Sequence, residues 1–155
     1  MIAIAVTCRQ SVKDAGYVVF NGKDEIRMAG LDYANAYADI VDVIGKLAEY
    51  YIASKQEFLI WIDTAGIAPY LFDAFQDSKY GQYVRMSIME EGGAPSYNEL
   101  YKTLMDYIPG LKFSFRMPEE DPTGLYRNLI IAFYGWLRTV TIDDSMNDHI
   151  FLNKA

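Results

Sequence analysis

Apolar and polar positions along the chain follow two different periods. Residues 2–8, IAIAVTC, are almost continuously apolar, the pattern of a strand buried on both faces. RQSVKDAG then predicts a polar turn. Residues 17–20 (YVVF) and 25–29 (EIRMA) predict second and third strands. Asn21-Gly22 lies between them, and this pair favours a hairpin because both residues tolerate positive φ. From about residue 33 to 53 the period lengthens to 3.6. Tyr37, Ile40, Val41, Ile44, Leu47, Ala48 and Tyr51 recur in steps of three and four and fall on one face of a helix. Asp39, Asp42, Lys46 and Glu49 fall mostly elsewhere.

The second half repeats the alternation. EFLIWID (57–63) predicts strand four, followed by a helix over about 67–78, and YVRMSIM (83–89) predicts strand five. EEGGAPS is a loop. A helix over about 96–107 carries Tyr97, Leu100, Tyr101, Leu104 and Met105 on its apolar face, and Pro109-Gly110 ends it. LKFSFR (111–116) alternates as a half-exposed strand does, and MPEEDPTG is a loop. The helix over 124–138 turns Leu125, Leu129, Phe133, Trp136 and Leu137 inward, before a short strand, VTI, and a polar tail. The expected fold is therefore α/β, with element order β-β-β-α-β-α-β-α and a short C-terminal addition. Strands one and four should lie parallel, joined by a right-handed crossover helix.

Length and composition fit this picture. The 155 residues suit a single domain spanning 1–155, and 52% hydrophobic against 23% charged residues suits a packed core. There is no internal repeat and no interdomain linker. No apolar run is long enough to cross a membrane, and the N-terminus lacks the basic segment of a signal peptide. One cysteine, Cys8, excludes an intrachain disulfide, so a cytoplasmic location is expected. A single histidine excludes a multi-histidine metal site. The net charge of −7 argues against tight nucleic-acid binding by this chain alone.

The stretch with the most chemistry in it is LIWIDTAGIAPY (59–70), an apolar strand that delivers Asp63 to a glycine turn and a helix start. Asp-Thr-Ala-Gly also occurs in nucleotide switches. Those need a phosphate-binding loop, G-x-x-x-x-G-K-[ST], on an earlier strand, and the chain has none. An actin-like nucleotide-binding lobe would need a glycine-rich phosphate loop after strand one, also missing. Two readings of Asp63 remain: a turn acid bonding to nearby backbone, or a metal ligand. Asp143, Asp144, Asp148 and His149 are a solvated tail or further ligands. Cys8 reads as a small core residue. Arg9, Lys13, Lys23, Lys112 and Arg116 read as scattered surface charge or phosphate contacts. Tyr97, Tyr101 and Tyr107 read as packing residues. Glu90-Glu91-Gly92-Gly93 reads as a surface loop that would repel a phosphate backbone.

The element order resembles the ribonuclease H-like fold over about residues 2–138. Within that superfamily the chain is similar to the nuclease domain of phage terminase large subunits, the DNA-packaging motors. The stretches that carry the likeness are IAVTCRQSVKDAGYVVFNG, IDTAGIAPYLFDAF and RNLIIAFYGWLRTVTIDD. The resemblance implies a mixed five-stranded sheet flanked by helices. It also implies endonucleolytic cleavage of DNA by two Mg²⁺ or Mn²⁺ ions about 3.5–4 Å apart, held by clustered carboxylates. The partners it implies are DNA and a packaging ATPase domain or other motor subunits, in the host cytoplasm. The strand-four acid matches Asp63, the leading catalytic residue and metal ligand. Asp144 is its expected catalytic companion, with Asp143 and Asp148 as further ligands. The strand-one acid should fall near Thr7, and no Asp or Glu precedes Asp14. A site without that carboxylate implies either a vestigial nuclease or a nuclease with a displaced acid, Asp14, which reaches the site only if its turn folds back. The alternative is a non-enzymatic interaction or regulatory domain on the same fold, whose aromatic faces meet another subunit.

Overall fold

The computed structural model describes residues 1–8, 11–31, 33–63, 68–87, 97–110 and 125–140. Five strands form one mixed sheet: β1 (Ile2–Thr7), β2 (Gly16–Asn21), β3 (Glu25–Gly30), β4 (Phe58–Asp63) and β5 (Val84–Ser87). Their spatial order is β3-β2-β1-β4-β5. β1 is central. It pairs antiparallel with β2, Ala5 opposite Val18, and parallel with β4, Ile4 beside Ile60. β5 is parallel to β4 and β3 antiparallel to β2. The hairpin turns at Gly22, whose φ of +63° is strained for a residue with a Cβ.

Among the described residues four helices cover the two faces: α1 (Tyr37–Ala53), α2 (Ala68–Gln76), α3 (Tyr97–Tyr107) and α4 (Leu125–Val140). The alternation of β1 divides the core between them. Ile2, Ile4 and Val6 join Ile60 and Ile62 against Ile40, Ile44 and Ala48 of α1 and Leu71 and Phe75 of α2. Ala3 and Ala5 join Val18 and Phe20 against Leu100 and Leu104 of α3 and residues 129–134 of α4. Small alanines on the second face let α4 come close to the sheet. Phe20 meets Phe133 edge to face, with ring centroids 5.6 Å apart.

The five strands expected up to residue 89, the antiparallel hairpin, the parallel pairing of strands one and four and the buried stripe of α1 agree with this architecture. Several boundaries differ, the helix expected over 67–78 being Ala68–Gln76. The first long helix begins at Tyr37, not near residue 33, because Leu31 and Ala34 are buried in a turn and Ala36 is extended. The Asp39 carboxylate fixes the start by accepting from the backbone N–H groups of Asn35 (2.8 Å) and Ala36 (3.1 Å). The last helix runs on to Val140, the first residue of the expected VTI strand. The expected strand over 111–116, the loops at 90–96 and 117–124 and the tail from 141 lie outside the described residues. Residues 128–134 of α4 are buried on every side, as a helix with little polar sequence requires.

Candidate functional site at the carboxyl ends of the parallel strands

In an open α/β sheet, ligands favour the crevice beyond the carboxyl ends of the parallel strands, where connections leave in different directions. Here β1 leads into the hairpin and β4 leads toward α2. The strand ends bring Thr7, Asp63 and Ser87 to one edge. Val6 pairs with Ile62, so Thr7 and Asp63 follow side by side, and Ser87 is the register partner of Asp63.

Thr7 is 1% exposed and its hydroxyl has no hydrogen-bond partner. It lies opposite Gly16 of β2 and continues the Ala3–Ala5 face that α4 covers. Directly above, Asn128 of α4 is fully buried and donates from Nδ2 to the Gly16 carbonyl at 2.7 Å. Its Oδ1 accepts nothing. A carbonyl only accepts, so this bond fixes which way the amide points. Farther along the same face the indole Nε1 of Trp61 also lacks a partner and lies against Gly135 of α4.

Cys8 turns to the opposite face, joins the α1 and α2 core, and donates from Sγ to the Ser11 carbonyl at 3.2 Å. Burial, helped by the Asp14 charge, pushes its thiol up to about 11. A thiolate is therefore scarce at neutral pH. Iodoacetamide at pH 8 is expected to label Cys8 slowly in the native protein and promptly in denaturant, as mass spectrometry would show. Rapid native labelling would contradict this burial.

Asp14 sits in a 3-10 turn (Val12–Asp14) beyond β1, partly exposed. Lys13 of that turn donates from Nζ to Asn35 Oδ1 at 3.2 Å. Lys23 lies far along the hairpin, its Nζ 5.0 Å from the centroid of the Tyr107 ring. Tyr107 packs with Phe133 and Trp136, as expected of a packing residue. Asp143, Asp144, Asp148, His149, Arg9, Lys112 and Arg116 lie outside the described residues, and Asp63 is placed by its backbone. Among the described residues no three His, Cys, Asp or Glu side chains gather as a metal site. No helix among them is long and apolar enough to cross a membrane.

Among the side chains described at this edge, Thr7 and Asn128 offer one hydroxyl and one amide, both neutral. Two divalent ions need several carboxylate oxygens to offset their charge, so Thr7 and Asn128 do not fit such a pair. Sequence reasoning missed Asn128. Its signal was a polar residue leading directly into the apolar run LIIAF, inside a helix expected to pack on the sheet. No protein-family model, curated protein or solved structure matches the chain.

Proposed function

We propose that the chain is a ribonuclease H-like domain of the type found in phage DNA-packaging motors, and that it serves as an interaction or regulatory element rather than a nuclease. One observation carries the loss of chemistry. The end of the central strand, where the fold's bridging carboxylate belongs, holds a buried Thr7, and the helix above it offers the neutral Asn128. The fold assignment is supported by the strand order, with β1 between antiparallel β2 and parallel β4. The motor assignment rests on the sequence resemblance alone. The net charge of −7 favours a protein partner, such as an ATPase domain or another motor subunit, over tight DNA contact.

Asp63 supports a second reading, since it closes β4 beside Thr7. In that reading the domain cuts DNA with Mg²⁺ or Mn²⁺ bound by Asp63 and one or more of Asp143, Asp144 and Asp148.

A Mn²⁺ titration followed by melting temperature, with plasmid nicking assayed on the same samples, separates the two readings. The interaction reading expects no saturable stabilisation and no nicking, in wild type and Asp63→Ala alike. Saturable stabilisation with nicking, both abolished in Asp63→Ala, would replace it with the nuclease reading.

A further inference from the structure

The two unpaired polar groups nearest the end of β1 share one neighbour, Gly16. Thr7 lies opposite Gly16 in the β1–β2 register, and residues so paired have Cα atoms about 4.5–5.5 Å apart. Asn128 reaches the same Gly16 from above. Both side chains are almost wholly buried, and neither unpaired oxygen bonds to the other. The amide orientation is fixed by the Gly16 carbonyl, so Oδ1 needs a donor. The threonine hydroxyl can donate or accept. A water molecule can donate to Oδ1 and either donate to or accept from Thr7. The alternative, two orphaned buried polar atoms beside the same residue, is disfavoured in folded proteins.

We propose that Thr7 and Asn128 form a binding site for one internal water molecule, which joins the end of the central strand to α4. The bridge ties residues 121 positions apart in sequence, by subtraction of their numbers. The occupant is neutral, since full burial disfavours an ion without a compensating charge, and water supplies both the donor and the acceptor these groups can use. The proposal is independent of the nuclease-like reading and stands or falls on its own measurements.

The first measurement is a crystal structure of the intact chain that shows ordered water. The expected result is a water oxygen within hydrogen-bond reach, about 2.8 Å, of both Thr7 Oγ1 and Asn128 Oδ1. Either oxygen bonded directly to a protein group, or no water between them, overturns the proposal. The second is a thermal-melt comparison of Thr7→Val, which keeps the shape and removes the hydroxyl, with Thr7→Ser, which keeps the hydroxyl. Valine is expected to lower Tm by about 2–4 °C, the shift typical of one lost hydrogen bond in a chain this long. In the Asn128→Leu background the same change should cost less. An unchanged or raised Tm for Thr7→Val would show that the hydroxyl was an isolated buried group and would sink the bridge. If either variant fails to fold, the water position in the wild-type crystal decides.

Discussion

Thr7→Asp is expected to destabilise the protein by about 3–5 kcal/mol at neutral pH, the usual cost of an uncompensated buried charge. For a domain of this size that lowers Tm by roughly 10 °C. Thr7 is 1% exposed, and its described polar neighbour, Asn128, spends its donor on Gly16. The introduced carboxylate would thus meet an amide oxygen rather than a cation, and its folded-state pKa should rise above the unfolded value of about 3.9. The sign of the pH dependence follows. Below about pH 4 the group is protonated in both states and the charge penalty vanishes. The penalty grows as pH rises toward the folded pKa and is constant above it. Urea melts of wild type and variant at pH 4 and pH 7 would measure this. An equal stability difference at both values would mean that the carboxylate reaches solvent. Relief of the pH 7 loss by Mn²⁺ would instead mean that a cation had found Asp63 and the new acid together.

Gly135→Val is the second large effect. A Cβ at Gly135 would crowd the Trp61 ring, approaching Nε1 most closely and then Cε2 at 2.5 Å and Cδ1 at 2.7 Å. Replacing glycine inside a helix normally helps, by up to about 1 kcal/mol for alanine. The clash should win here. Three ring atoms are involved, and Trp61 is anchored in β4 between Ala5 and Arg85. The helix cannot easily lift, since residues 128–134 are locked into the core. Overpacking of this kind costs about 1–3 kcal/mol, and the two methyl groups that valine carries beyond its Cβ put the loss at the upper end. Trp61→Leu should relieve it, so the double variant is expected to be more stable than the sum of the single changes. Strict additivity would mean that the destabilisation arises somewhere other than the ring contact.

The fold was largely legible in the sequence, and particular residues show why. IAIAVTC reads as a central strand because β1 is covered on both faces. Its alternation of Ile2, Ile4 and Val6 with Ala3 and Ala5 records a thick layer on one side and a closely approaching helix on the other. Tyr37 to Tyr51 reads as an amphipathic helix because one stripe of α1 is buried. The start of α1 was not legible. It depends on Asp39 reaching back to Asn35 and Ala36, and an apolar period continuing from residue 33 hides that bond. For α4 the sequence suggested one inward stripe, whereas Ile130, Ile131, Ala132 and Tyr134 are buried as well. A single helical period cannot reveal how many neighbours a helix has. The absence of an acid near Thr7 was visible at once. The identity of Asn128 as its neighbour was not, because only the folded chain brings residue 128 to residue 16.

That same distance along the chain bears on synthesis. While the ribosome makes residues 1–110, the sheet and its α1–α2 layer can assemble, but Ala3, Ala5, Val18 and Phe20 still await α4. Contacts between remote segments form late and slowly. Until residues 125–140 emerge, the nascent protein therefore has only Leu100 and Leu104 of α3 from the buried members of this cluster to set against that apolar face. During this interval chaperones or neighbouring nascent chains would compete for the place that α4 finally takes.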